Sequence, residues 1–299
     1  MFPVCRILLA DWAQLSAAQE GLLFPRGLPA SCENRSVCAP CASCGESFRV
    51  STGEFISALL ERDEWCKASR IALRTQWGGL SIRNSKFAIR NWGLYLVTDR
   101  NQTGGRDLEG VLARALEGGV RAIQLREKDL DTIEVFQLGE RLLAGTRAAG
   151  AALIVNDRVD VAMALGADGV HLTRKSLPPR EARALVGPDM LLGVSCHNLD
   201  DVREAVDGGV DFLVLGPIYA TPSKASYGPP LTPEILRRAR TICALPILAI
   251  GGIGPERVPE VMAAGADGVA AISAVLAAPD PALATRSLLE AVAHAKGVE

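Results

Sequence analysis

The sequence predicts an α/β protein, a (β/α)8 TIM barrel over residues 93–299, preceded by an unassigned N-terminal extension over residues 1–92. Three observations carry this. Short runs rich in β-formers alternate with amphipathic segments from Gly93 onward, a glycine-containing phrase recurs where helices should hand over to strands, and composition breaks sharply at Trp92.

The extension holds Cys5, Cys32, Cys38, Cys41, Cys44 and Cys66, together with every tryptophan (Trp12, Trp65, Trp77, Trp92). It shows no sustained period of 3.6 or 2, and Gly, Pro, Ser and Cys cluster between Pro25 and Ser47. The spacing Cys38-x-x-Cys41-x-x-Cys44, with Cys32 upstream, suits thiolates wrapping one metal. A structural zinc site needs a second ligand pair, however, and the first histidine is His171 in the other segment. A poorly structured extension is therefore the expectation. A mis-called translation start would produce the same composition, since after Met1 the next methionine is Met163.

Beyond the break, the expected strands are Leu94–Thr98, Ala122–Arg126, Ala152–Asn156, Gly169–Leu172, Leu191–Ser195, Phe212–Gly216, Ile247–Ile250 and Val269–Ile272. The first intervening helix places Leu108, Val111, Leu112, Ala115 and Leu116 on one face, with Arg106, Glu109, Arg114 and Glu117 opposite. Thr232 with Pro233, Asn198 with Asp201, and Pro255 suit helix first turns. Helix ends carry the repeated phrase Gly118-Gly119-Val120, Gly166-Ala167-Asp168-Gly169-Val170, Gly208-Gly209-Val210-Asp211 and Gly265-Ala266-Asp267-Gly268-Val269. Glycine there supplies the left-handed residue that ends a helix. A doubly wound open sheet is the alternative, but it seldom needs eight regular units.

Charge and hydropathy exclude other classes. A formal net charge of −2 gives no bias toward nucleic acid, and the longest apolar run, Leu245–Ile253, is broken by Pro246, Gly251 and Gly252. No transmembrane helix is expected. Phe2–Ala10 is followed by Asp11 without a convincing cleavage site, so a cytoplasmic location is expected. Helical patterning does not separate an outer face that pairs two copies from one packed inside, so a homo-oligomer stays open.

In such barrels chemistry sits at the C-terminal ends of the strands. Alternation in Gln124-Leu125-Arg126-Glu127-Lys128 puts Gln124, Arg126 and Lys128 on one side and Leu125 on the other. Burying these cations without an anion is costly, which points to a phosphate or diphosphate; an ion pair with Glu127 or Asp129 is the structural reading. Asp157, after Asn156, reads as a helix cap or as a Mg²⁺ ligand, since Mg²⁺ takes one or two carboxylates plus substrate phosphates. Ser195 closes the fifth strand. The long connection after the sixth strand, with Thr221, Pro222, Ser223 and Lys224, reads as a lid over a phosphate or as a solvated loop. Gly251-Gly252-Ile253 and Ile272-Ser273-Ala274 occupy the usual phosphate pocket of these barrels. His171 and His294 read as structural or surface residues.

Taken in order, QLREK, VND, GVS-x-H, GPIYATPSK and AIGGI resemble the thiamine phosphate synthase family from Gly93 to about Val298. The resemblance implies that Gln124, Leu125, Arg126, Glu127, Lys128, Asn156, Ser195 and Lys224 hold an aminopyrimidine diphosphate. Thr221, Pro222, Ser223, Gly252, Ile272 and Ser273 would hold a thiazole phosphate. The implied reaction is dissociative, with Arg126, Lys128, Ser195, Lys224 and Mg²⁺ serving the departure of diphosphate. One departure stands out: Ser176 occupies the place of the family's second Mg²⁺ ligand, an aspartate, within His171-Leu172-Thr173-Arg174-Lys175-Ser176. Asp157 would then hold Mg²⁺ with diphosphate and water alone, or Arg174 and Lys175 partly replace the metal, or metal use is weakened. The related thiazole tautomerases, with His197 as acid/base, are the alternative activity, and a phosphate-sensing barrel is the non-enzymatic one.

Overall fold

The computed structural model describes residues 89–221 and 229–297. The cysteine cluster between Cys32 and Cys44 and the loop residues Pro222, Ser223 and Lys224 lie outside the described residues.

Eight parallel strands close into one barrel in sequence order: β1 (Leu94–Val97), β2 (Ala122–Leu125), β3 (Ala152–Asn156), β4 (Gly169–Leu172), β5 (Leu191–Cys196), β6 (Phe212–Leu215), β7 (Ile247–Ile250) and β8 (Gly268–Ala271). β1 closes on β8 through Tyr95 opposite Ala270. The open-sheet alternative is thereby excluded. The main crossovers run through α1 (Leu108–Glu117), α2 (Thr132–Ala148), α3 (Val159–Leu165), α4 (Pro179–Val186), α5 (Leu199–Asp207), α6 (Glu234–Ile242) and α7 (Val258–Ala263). A short α8 (Ser273–Leu276) precedes α9 (Pro281–Lys296).

Alternation along the strands divides the core in two. Leu94, Leu96, Ile123, Leu125, Leu153 and Val155 face outward against Leu108, Leu112, Leu138 and Leu142 of the helices. Tyr95, Ile154, Phe212, Val214, Leu248 and Ala270 fill the barrel interior. The apolar face anticipated for α1 is the buried one, with Leu108, Val111, Leu112 and Ala115 inside.

The barrel begins before the composition break. Ile89 and Trp92 are buried with the interior set, and the Trp92 ring stacks on Tyr95 at 5.8 Å and meets Phe212 edge-on at 5.3 Å. Gly193 is explained by the same packing, because a Cβ there would lie 2.2 Å from Cζ of Phe212.

The repeated helix-end phrase does two jobs. Gly119, Gly166, Gly209 and Gly265 take positive φ, the conformation that side chains resist. The aspartates serve the sheet: Asp168, Asp211 and Asp267 accept the backbone N–H of Leu153, Leu192 and Ile247 at 2.9, 2.8 and 2.9 Å. Arg183 and Arg240 clamp Asp211 and Asp267, each at 2.6 Å, and also donate to carbonyls of neighbouring turns. Asn198 caps α5 by accepting from Asp201 N, as its position suggests. Thr232 does not cap: it sits at φ 61, and α6 starts at Glu234 after Pro233 with no side-chain cap.

Candidate active site

At the C-terminal end of the barrel a chain of polar side chains crosses the interior. Gln124 Nε2 donates to the Tyr95 hydroxyl at 3.1 Å, which lies 3.5 Å from His171 Nδ1, and His171 Nε2 lies 2.9 Å from Ser195 Oγ. Tyr95 and His171 are buried. Burial, reinforced by the Arg126 guanidinium, pushes the His171 imidazole down to about 3, so it is neutral at physiological pH and has one donor and one acceptor nitrogen. Burial likewise pushes the Tyr95 phenol up, keeping its proton in place.

Above this layer stand the cations. Arg126 is fixed by its backbone N–H donating to Thr98 Oγ1 at 2.8 Å. The Lys128 ammonium is held below its usual value by desolvation first, then by Arg126 and Lys175, against an opposing pull from Asp99. Crowded cations at a barrel mouth are a charge arrangement that an incoming anion relieves. Asn156 ends β3, and its buried Oδ1 has no partner among the described residues, so a ligand N–H would satisfy it.

Two predicted residues of the QLREK stretch are not brought to the site. Leu125 lies in the outer core against the helices. Glu127 is buried and turned to Arg100, its Oε2 accepting from Arg100 N at 3.0 Å and facing Arg100 Nη1 at 3.6 Å, while its buried Oε1 has no partner among the described residues. Alternation within β2 places Leu125 off the face of Gln124, whereas Glu127 lies in the loop beyond the strand.

Asp157 takes positive φ, 65°, its N–H donating to His171 O at 2.8 Å. Its Oδ1 accepts a hydrogen bond from Ser176. Ser176 is itself gathered in by Thr173, whose backbone N–H donates to Ser176 Oγ at 2.8 Å. A Mg²⁺ ion is usually held by one or two carboxylates with phosphate oxygens and water. The mouth offers the Asp157 carboxylate with a neutral hydroxyl beside it, and among the described residues no group of three or more His, Cys, Asp or Glu side chains is placed to hold a metal. The two-aspartate set implied by resemblance does not fit this chain.

The opposite side of the mouth is built for close backbone approach. Gly252 has φ 65, and a Cβ there would lie 3.1 Å from Ala220 O, which brings the turns after β6 and β7 together. Arg257 braces the pair, donating to Gly252 O at 2.5 Å and lying 4.4 Å over the Tyr219 ring. Tyr219 in turn donates to Glu260 at 2.5 Å. Thr221 ends the described part of that turn, and Ile272 leads into Ser273 at the start of α8. Short extra helices after the last strands of such barrels commonly bind phosphate.

The sequence profile described as thiamine monophosphate synthase matches residues 94–275. The chain belongs to the thiamine monophosphate synthase family. The family match agrees with individual relatives. The chain is 49% identical over 199 residues to a putative thiamine-phosphate synthase of Geobacter sulfurreducens, covering 67% of this chain and 93% of that one. It is 47% identical to a thiamine-phosphate synthase of Moorella thermoacetica, covering 69% and 98%. The solved thiamine phosphate pyrophosphorylase of Pyrococcus furiosus shares 36% identity at a TM-score of 0.64, covering 69% of this chain and 98% of that one. Transferase activity in thiamine biosynthesis follows from this membership.

Tyr95 and His171 were not legible as site residues. The available signal was alternation: His171 lies between outward-facing Val170 and Leu172, and must therefore point inward.

Proposed function

We propose that the chain joins an aminopyrimidine carried as its methyl diphosphate ester to a thiazole phosphate, forming thiamine phosphate and releasing diphosphate. The observation that carries this reading is the convergence of Arg126 and Lys128 above a neutral hydrogen-bonding layer of Gln124, Tyr95, His171 and Ser195. The neutral layer suits a polar, uncharged ring, and the cations suit its diphosphate tail.

In the dissociative reaction the pyrimidine methylene C–O bond breaks, its electron pair leaves with diphosphate, and the thiazole nitrogen captures the resulting cation. Arg126 and Lys128 stabilise the charge that develops on the departing oxygen. The neutral state of His171 matters here, because a second positive charge beneath the ring would oppose cation formation. Lys224, with Thr221, Pro222 and Ser223, would contact the phosphates, and Gly252, Ile272 and Ser273 would receive the thiazole phosphate through backbone N–H groups. Mg²⁺, when bound, would supply further charge neutralisation of the diphosphate from a position beside Asp157. Among the described residues no helix is long and apolar enough to cross a membrane, and we assign the reaction to the cytoplasm.

Incubating the full chain with both substrates should yield thiamine phosphate and diphosphate in equal amounts, and Lys128→Ala should lower kcat/KM by roughly 10²–10³-fold. A second reading rests on His197, whose Nδ1 is 2.6 Å from Gly216 O and is thereby fixed as the donor, leaving Nε2 to act as a base. Isomerisation of a thiazole carboxylate phosphate without any thiamine phosphate formation would replace the synthase reading with tautomerisation.

A further inference from the structure

The loop after β4 departs from the two-carboxylate arrangement in a directed way. Ser176, a neutral hydroxyl where the resemblance implies a second carboxylate, donates to Asp157, so the place where a divalent cation would sit carries one negative charge fewer. The turn that presents Ser176 closes through Ser176 N to Thr173 O at 3.0 Å and Lys175 N to Thr173 Oγ1 at 3.3 Å. The same turn carries Arg174 and Lys175, both exposed, and after burial and Arg126 the Lys175 ammonium helps to hold the Lys128 ammonium below its usual value. One loop thus subtracts a carboxylate and adds an ammonium on the same side of the mouth. Arg126 and Lys128 already stand there, with Asp99 as the acidic neighbour acting on Lys128.

We propose that in this chain the diphosphate is counter-charged chiefly by Arg126, Lys128 and Lys175, with Mg²⁺ at Asp157 a weak and dispensable addition. This rests on the synthase reading, which supplies the diphosphate. Physically, an ammonium on the protein replaces part of the charge that a metal would otherwise bring, and it comes without the need to dehydrate Mg²⁺, an ion that gives up its waters reluctantly.

The test is calorimetric titration of the full chain with inorganic diphosphate, in excess Mg²⁺ and in excess chelator, with thiamine phosphate formation followed in parallel. The expected result is a Kd that changes by less than about threefold when metal is removed, and an about tenfold weakening in chelator for Lys175→Ala, the loss of about one charge-assisted contact. Ser176→Asp should introduce the missing dependence, with binding about tenfold or more tighter in Mg²⁺ than in chelator. The wild-type titration decides the matter even if a variant fails to fold: loss of tenfold or more in affinity on chelation, or no diphosphate binding in either condition, overturns the proposal. Metal-independent diphosphate binding without thiamine phosphate formation would instead count against the synthase reading and leave the counter-charge assignment standing.

Discussion

At the scale of single residues, the site depends on an imidazole that stays uncharged. His171 titrates near 3 in the folded protein against about 6.5 when exposed in an unfolded chain. Between those values the unfolded chain binds a proton that the folded chain does not, so stability is full above about pH 6.5 and is lost as pH falls. The contribution is bounded at one proton, about 1.4 kcal/mol per pH unit. His171→Gln should flatten the decline in urea-unfolding stability between about pH 6.5 and 4.5; parallel declines in variant and wild type would show that the buried imidazole is not its source. The sequence made Gln124, Arg126 and Lys128 readable because charge at a strand end is conspicuous. Tyr95 and His171 were harder, since a lone polar residue in a strand acquires meaning only when its neighbours across the closed barrel are known. Ser195 is half of a hydrogen bond whose other half lies 24 residues earlier.

Between neighbouring elements, the stabilising contact is the aspartate at the helix-to-strand handover. Asp211 accepts from Leu192 N and is clamped by Arg183, with side chains only 30% and 21% exposed. Removing it strands a backbone donor and an arginine, so Asp211→Ala should cost about 1–3 kcal/mol. Arg203, paired with Asp200 on the surface at 57% and 90% exposure, should cost under about 1 kcal/mol when changed to Ala. Equal losses in chemical denaturation would mean that the handover aspartates are ordinary surface charges. The repeat itself is visible as Gly-x-Asp at Gly166, Gly209 and Gly265, and glycine's role at the helix end follows from backbone sterics alone. The aspartate's role did not, because its partner belongs to the preceding strand. Strand ends moved by a residue for a similar reason: Ile272 continues the apolar run of β8, yet the pairing partners end at Ala271.

For the molecule as a whole, closure was predictable from eight repeated units, whereas the starting point was not. Composition assigns Trp92 to the extension, but packing assigns it to the barrel, because beside its neighbour Tyr95 it meets Phe212, at the start of the sixth strand. Arg90 adds an ion pair with Asp267, and its carbonyl accepts from Lys296 Nζ at 2.5 Å. A chain beginning at Gly93 should therefore lose about 3–5 kcal/mol from the missing tryptophan alone, seen as a lowered thermal midpoint. One beginning at Gly78 keeps every one of these contacts and should unfold like the full chain over the barrel transition. Equal midpoints for the two truncations would show that the barrel does not need its floor.

That floor also governs traffic. With Trp92, Tyr95 and Phe212 packed together inside the cylinder, its lower end is filled among the described residues, and a ligand would approach from the rim where Arg126 and Gly252 stand. A ligand lodged against Gln124 and His171 would then enter before one seated above it and leave after it. The lower end of the barrel is thus closed by a cluster of three aromatic rings, of which only Tyr95 also belongs to the hydrogen-bonded chain above.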